Sequence, residues 1–329
     1  MPDSAGRRIA VLGTGGTIAG SPPQGGLSYR AGALSVQDIL SALPGVEGWL
    51  QLHCEQLFNI GSQSIAYADW LRLAARVQAL ADAETVDGIV ITHGTDTLEE
   101  TAYFLDKVLC CRIPIVLTGA MRPAHATGAD GPGNVLSALA VAASAKSAGR
   151  GVLVVMNEQI HSARDVQKMA ATGADAFASP NSGPVGWVQN RDLGYYGPSL
   201  PVSAPAFGAL PNVSPRVFVL HVHADTDEAM VRACMGLKPD GIVMAGVGNG
   251  NASDKVLAAL SEAVAGGIAV VRASRTGSGR VLRNAEIDDD NEGFIVSGHL
   301  SPQKARILLM LALTQSRDPV VLQTYFTPE

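Results

Sequence analysis

The sequence predicts an α/β fold with two domains, each a parallel sheet covered by helices, the N-terminal domain being the larger. Short β-branched runs alternate with amphipathic helical stretches along most of the 329 residues, which is typical of right-handed βαβ units. Hydrophobic residues make up 47% of the chain but aromatic residues only 5%, so the core is aliphatic, as buried parallel strands favour. The alternation breaks once, in a proline-rich stretch, and then resumes.

The first domain is predicted over residues 1–195. It begins with a strand at residues 9–12. A helix opens at Ser35, with Asp38 three residues on in a capping-box pattern. Asp69 is predicted to cap the next helix, whose apolar stripe begins at Trp70 and includes Val77. Further strands are predicted at residues 88–92, 115–117 and 152–155, and further helices after Thr97 and near Asn134.

A linker is predicted over residues 196–215 because five prolines there disfavour both helix and strand. The second domain then covers residues 216–329. Its predicted strands are residues 217–220, 241–244 and 268–271, and its predicted helices lie near Ala229, Val256 and Lys304.

Composition excludes several classes of protein. The chain carries 24 Lys and Arg against 30 Asp and Glu, a net charge of −6, which gives nucleic acid no general electrostatic reason to bind. No apolar run is long enough to span a bilayer, so no membrane partner is expected. The four cysteines lack the spacing of a disulfide framework, and buried or half-buried reduced thiols are expected.

The compartment predicted from the sequence as given is the cytoplasm, because the first residues lack the apolar segment of a signal peptide. An exported protein whose leader had been trimmed would look the same, and it would be periplasmic.

Two turns rich in glycine and hydroxyl groups each follow a predicted strand, at residues 13–20 and 93–97. Ligands of open α/β sheets collect at the carboxyl ends of the strands, so both turns are expected to face one crevice. Nucleotide binding is the obvious alternative, but the glycine spacing fits no dinucleotide fingerprint. A phosphate-binding loop would need a lysine where Ser21 follows Gly20.

Threonine side chains in these turns are candidate nucleophiles if another group removes their proton. Asp96 beside Thr95 offers a carboxylate, and Lys168, beyond the strand at residues 152–155, can reach the same edge. The residues alone leave a second interpretation open, in which small side chains simply make tight strand–helix turns.

The motifs at residues 14–20 and 91–97 resemble the two hallmark motifs of the bacterial-type L-asparaginase family, in particular its type II or glutaminase-asparaginase branch. The resemblance covers nearly the whole chain in order. It continues at residues 59–63, 118–123, 129–132, 151–157, 246–251 and 302–306.

The resemblance implies an amidohydrolase that converts L-asparagine to L-aspartate and ammonia through a threonine acyl-enzyme, without cofactor or metal. Thr17 matches the nucleophile, and Tyr29 matches a tyrosine on a mobile loop that assists it. Thr95, Asp96 and Lys168 match a second catalytic group, in which a lysine among neutral neighbours can act as a general base.

Substrate binding is also implied by the resemblance, within a homotetramer built as a dimer of dimers. Asn251 and Glu286 match positions that the neighbouring subunit contributes to a shared site. The full set of implied substrate-binding residues is Gly61, Ser62, Gln63, Thr95, Asp96, Asn251 and Glu286.

Three other functions stay open from the sequence. A glutaminase-asparaginase differs only in room for one methylene, worth about 1–3 kcal/mol of discrimination in a pocket. A non-catalytic amino-acid-binding protein would not need two nucleophile-type hydroxyls. A subunit of a tRNA-dependent amidotransferase would carry an additional N-terminal domain, whereas the first strand here begins near Arg8.

No metal site is expected from the sequence. His93 precedes a glycine turn, His221 and His223 are expected to share one face of a strand without a third ligand, and Glu158 and His161 follow a strand. The acidic stretch at residues 288–293 is similar to a calcium loop but has His299 at position twelve. It is expected to be a solvated loop with no flanking helix.

Overall fold

A computed structural model describes residues 6–16, 18, 35–41, 43, 45–46, 48–189, 191–198 and 206–326. The chain divides into two compact units, Met1–Ala206 and Phe207–Glu329. Each unit contains a sheet of its own, with eight described strands in the first and four in the second. The prediction of two α/β domains with the larger one first is confirmed. The linker at residues 196–215 stays a prediction, because residues 199–205 lie outside the described part.

The N-terminal unit has ten described strands, of which two form a separate small ribbon. The strands are β1 (Arg8–Gly13), β2 (Gln51–Gln56), β3 (Gly88–Thr92), β4 (Ile115–Thr118), β5 (Val152–Met156), β6 (Gln159–Ser162), β7 (Gln167–Lys168), β8 (Phe177–Ala178), β9 (Gly186–Gln189) and β10 (Asp192–Tyr195). The main sheet has the order β10-β9-β6-β5-β4-β3-β1-β2, and β7 pairs with β8. Strands β1 to β5 pair with one another in parallel. The pairs β5–β6, β6–β9 and β9–β10 are antiparallel. The sheet is therefore mostly parallel, as predicted, with an antiparallel edge that the sequence analysis does not predict.

Four described α-helices accompany this sheet: α1 (Val36–Ser41), α2 (Tyr67–Asp82), α3 (Leu98–Val108) and α4 (Gly131–Ala143). The predicted capping box before α1 is present, with the Ser35 N–H donating to Asp38 at 2.8 Å. Helix α2 begins at Tyr67, before Asp69. That carboxylate accepts the Ala66 N–H at 2.9 Å, so it caps the helix from inside its first turn.

The C-terminal unit has a four-stranded parallel sheet in the order β11-β12-β13-β14. Helices α6 and α8 fill the predicted positions near Val256 and Lys304. The elements are β11 (Val217–His221), α5 (Ala229–Gly236), β12 (Gly241–Gly246), α6 (Asp254–Ala265), β13 (Ala269–Ser274), α7 (Asp289–Glu292), β14 (Ile295–Val296), α8 (Pro302–Ala312) and α9 (Pro319–Phe326).

The acidic stretch at residues 288–293 is largely exposed, as the sequence predicts, but it forms a short helix instead of a loop and buries one carboxylate. Residues Asp289–Glu292 form the short helix α7, and the side chains of Asp289 and Arg272 are both 0% exposed. The guanidinium holds the carboxylate through two hydrogen bonds, from Nε at 2.5 Å and from Nη2 at 2.8 Å. Its remaining donors reach the carbonyl oxygens of Asn249, Gly250 and Leu282. All five N–H groups of this arginine are therefore used.

The four cysteines are free thiols in the structure, but their burial differs from the prediction at one position. Cys234 is buried and Cys54 and Cys111 are partly buried, whereas Cys110 is exposed. Within the described ranges, no helix has the length and apolarity needed to cross a membrane.

Candidate active site

The two glycine-rich turns meet at the carboxyl ends of the neighbouring strands β1 and β3. Gly16 has φ +87°, and a Cβ on it would lie 2.3 Å from the Gly94 Cα. The backbones of the two turns are thus in contact, and only glycine fits at residue 16. This contact brings the two motifs to one place, as expected for turns at the carboxyl ends of neighbouring parallel strands.

Thr95, Asp96 and Lys168 form one hydrogen-bonded group beside this contact. The Lys168 ammonium donates to the Thr95 hydroxyl at 3.0 Å and to the Asp96 carboxylate at 2.7 Å. The Thr95 residue is only 4% exposed, whereas the Asp96 side chain is 61% exposed and that of Lys168 17%. The lysine thus connects a buried hydroxyl with a carboxylate that solvent or a ligand can reach. Its neighbours are not all neutral, in contrast to the expectation from the sequence.

The strand order explains how Lys168 reaches a turn more than seventy residues earlier in the chain. Strand β6 runs back antiparallel to β5, and the chain then enters the two-residue strand β7, which ends at Lys168. Thr95 and Asp96 lie between β3 and the first turn of α3.

Ser62 supplies a third hydroxyl at the same contact. It is 3% exposed, and its Oγ would lie 2.6 Å from a Cβ on Gly94. The Thr97 hydroxyl donates to the Ser62 carbonyl oxygen at 2.8 Å, which fixes the short 3-10 turn Ser62–Ser64 against the start of α3. Gln63 in this turn is exposed, and Gly61 before it is partly buried.

Other predicted site residues lie elsewhere or outside the described part. Thr17 and Tyr29 fall on residues that the structure does not describe. Asn251 and Glu286 belong to the C-terminal unit, where the Asn251 amide donates to the Glu286 carboxylate. The Asn251 Oδ1 is buried without a hydrogen-bond partner among the described residues. The structure therefore pairs these two candidates with each other.

Glu99 is a site neighbour that the sequence analysis does not identify. It lies in the first turn of α3, is 3% exposed, and its Oε2 accepts the backbone N–H of Lys168 at 2.5 Å. An acidic residue in the first turn of a helix is common because it complements the helix dipole. Sequence alone gave no reason to expect it to be buried.

His93 and His161 are buried histidines of the N-terminal unit whose ring nitrogens contact oxygen atoms. His93 is fully buried with Nδ1 2.7 Å from the Gly94 carbonyl oxygen, and His161 on β6 contacts Ser179 at 2.9 Å. Strand β11 ends at His221, so the prediction that His223 shares its strand face is wrong. No group of three or more metal-ligating side chains is found among the residues that the structure describes.

Burial lowers the pKa of His93 from its usual value of 6.5 to about 4. The unfolded chain takes up this proton below pH 6.5, whereas the folded protein resists it until about pH 4, so stability decreases as the pH falls through this interval. We expect the loss to approach 3 kcal/mol, at about 1.4 kcal/mol per pH unit. Urea unfolding of wild type and His93→Asn from pH 7 to pH 4 measures it. An asparagine variant with the same pH dependence would contradict this source.

Two protein-family models match the sequence of this chain. The one described as "Asparaginase, N-terminal" matches residues 8–200, and the one described as "Glutaminase/Asparaginase C-terminal domain" matches residues 216–326. The chain belongs to the asparaginase family. The matches follow the division into two units and include every predicted site residue.

Known members of the asparaginase family align over almost all of the chain. It is 44% identical to the "Probable L-asparaginase periplasmic" of Haemophilus influenzae, over 97% of this chain and 92% of that relative. It is 42% identical to "L-asparaginase 2" of Escherichia coli with the same coverage. It is 40% identical to the "Glutaminase-asparaginase" of Pseudomonas fluorescens biotype A, over 97% and 89%.

Proposed function

We propose that this protein is an amidohydrolase that converts L-asparagine to L-aspartate and ammonia. The observation that carries the proposal is the Lys168 ammonium within hydrogen-bond reach of both Thr95 and Asp96. Membership of the asparaginase family and relatives named L-asparaginase support the reaction. Binding alone would not need a lysine held against a buried hydroxyl.

The chemical steps follow from the roles that the family resemblance implies. The Thr17 hydroxyl attacks the side-chain amide carbon, its proton passes to the amide nitrogen, and ammonia leaves as an acyl-enzyme ester forms. Water then attacks the ester, which releases aspartate and restores the hydroxyl. Tyr29 assists the first proton transfer. The 3.0 Å contact between Thr95 and Lys168 allows a proton to move between these two groups.

Substrate recognition is assigned by charge. The Asp96 carboxylate, 61% exposed, suits the α-ammonium of the substrate, and the Ser62 hydroxyl with Gly61 and Gln63 suits its α-carboxylate. Asn251 and Glu286 would complete the site from a neighbouring subunit of a homotetramer.

Glutamine is the second candidate substrate, and the relative named glutaminase-asparaginase favours it. The compartment is also a proposal. The word "periplasmic" in the name of one relative favours the periplasm.

The test is ammonia release by purified protein from asparagine and from glutamine, side by side, with EDTA present and without added nucleotide. We expect release from asparagine, and none above background from Thr17→Ala. No release by the wild type would overturn the proposal. Restoration only by zinc or magnesium would contradict a metal-free reaction.

Sharing of sites between subunits predicts complementation. Thr17→Ala and Glu286→Ala should each be nearly inactive alone. In a mixed dimer with two-fold symmetry, one site collects both defects and the other has neither. Unfolding and refolding the two variants together should therefore recover activity in up to about half of the sites of mixed dimers. Verified mixed oligomers without recovery would contradict the shared site.

A further inference from the structure

Glu99 places a carboxylate in the protein interior, next to the main chain of Lys168 in the group formed by Thr95, Asp96 and Lys168. The residue is 3% exposed, and burial of a carboxylate is costly unless hydrogen bonds compensate it. Its Oε2 accepts the backbone N–H of Lys168 at 2.5 Å. A charge-assisted bond of this kind is stronger than one between neutral groups.

The position of Glu99 at a helix N-terminus does not explain this contact. A carboxylate that only complements the helix dipole needs no partner outside its own helix. The partner here is 69 residues away in sequence, and it is the residue whose side chain carries the ammonium of the candidate site. Glu99 therefore connects α3 with the strand that bears Lys168.

Strand β7 cannot fix Lys168 by itself. It has two residues, Gln167 and Lys168, and pairs with a strand of equal length. The next N–H along the chain, that of Met169, donates to Ala176 across the ribbon at 2.7 Å. Because successive N–H groups of a strand point in opposite directions, the N–H of Lys168 points away from β8 and towards α3.

We propose that Glu99 is a positioning residue, which holds the main chain of Lys168 so that its ammonium stays on Thr95 and Asp96. The inference rests on the proposed function. Lysine has a flexible side chain that loses much rotamer freedom when it is fixed. Because the Lys168 backbone is bonded to the helix that follows Thr95 and Asp96, the Lys168 ammonium has fewer alternative positions.

The test compares Glu99→Leu with Glu99→Gln, since the glutamine carbonyl oxygen can still accept the Lys168 N–H. For Glu99→Leu we expect kcat for asparagine to fall about 10- to 100-fold, as small displacements in active sites do, with KM changed less than about threefold. Glu99→Gln should recover most of this loss. Hydrogen exchange should be faster at the Lys168 amide in Glu99→Leu and near wild type in Glu99→Gln.

Asp106 provides a matched control on the same helix. Its Oδ1 accepts the backbone N–H of Val152 at 3.1 Å, about 10 Å further along α3. Asp106→Leu thus removes the same kind of bond between this helix and a strand, away from Lys168. We expect its kcat to stay within about twofold of the wild type. If Glu99→Leu does not fold, Glu99→Asp, whose side chain is shorter by one methylene, replaces it.

The outcomes separate the two proposals. Wild-type protein that releases no ammonia would overturn the proposed function. Active wild type with unchanged kcat in Glu99→Leu would overturn only the positioning role, as would equal losses in Glu99→Leu and Asp106→Leu. A loss in kcat with faster exchange at Lys168 and recovery in Glu99→Gln would support it.

Discussion

Replacement of Lys168 by methionine is expected to lower kcat for asparagine by about 10²- to 10⁴-fold, the usual contribution of a positioned acid or base. Methionine keeps the apolar part of the side chain but removes the ammonium that contacts Thr95 at 3.0 Å and Asp96 at 2.7 Å. Steady-state ammonia release at saturating asparagine measures the effect. Thr95→Val should lose a comparable factor, and the double variant should be little worse than either single one, because groups that act as a unit are not additive.

Lys107 gives the control for this experiment. It lies on α3, pairs with Asp106 at 3.0 Å, and its side chain is 25% exposed against 17% for Lys168. Lys107→Met therefore makes the same change in charge in a similar environment, and its kcat should be near that of the wild type. Equal kcat values for the two methionine variants would remove Lys168 from the reaction.

Replacement of Arg272 by methionine is expected to lower the free energy of unfolding by about 3–5 kcal/mol, the typical cost of breaking a buried ion pair. The change leaves the Asp289 carboxylate buried without its cation, and it removes donors from the carbonyl oxygens of Asn249, Gly250 and Leu282. Combining it with Asp289→Leu should recover part of the loss, because the uncompensated charge is then gone.

An exposed ion pair of the same unit serves as the comparison. Arg232 binds Glu262, and their side chains are 52% and 51% exposed, so Arg232→Met should cost less than about 1 kcal/mol. Tryptophan fluorescence would not report on the C-terminal unit, because the chain's three tryptophans, Trp49, Trp70 and Trp187, all precede it. Circular dichroism in urea is therefore the appropriate measurement. Similar losses in the two arginine variants would contradict the role assigned to the buried pair.

The fold was predictable where a run of apolar residues coincides with a buried strand. Strand β5 and the first four residues of β3 are apolar and buried, so their residue types identify them. Strand β2 was missed because its sequence, QLHCEQ, contains no β-branched residue, and each of its residues is exposed or only partly buried. Strands β9 and β10 lie at the other edge. Such a hairpin adds antiparallel strands without the helix that marks a βαβ unit.

The candidate site was predictable as far as residue types carry chemistry. A threonine and an aspartate in a turn after a strand, with a lysine beyond a later strand, suggested that Thr95, Asp96 and Lys168 lie together, and the family resemblance pointed to the same group. Glu99 and Asp289 were not recognised, because an acidic side chain is normally solvated and only its partner in the fold explains its burial. Those partners, Lys168 and Arg272, lie 69 and 17 residues away, beyond any local pattern.

The contact between the two glycine turns limits how this protein can be made more heat-resistant. Exchange of glycine for alanine often adds about 0.4–1 kcal/mol of stability by restricting the unfolded chain. At residue 16 the new methyl group would overlap the main chain of residue 94 at 2.3 Å, and at residue 94 it would meet the Ser62 hydroxyl at 2.6 Å. Directed-evolution libraries should therefore keep both positions constant. Gly133 in α4, whose Cβ would meet nothing within 4 Å, is the better place to begin.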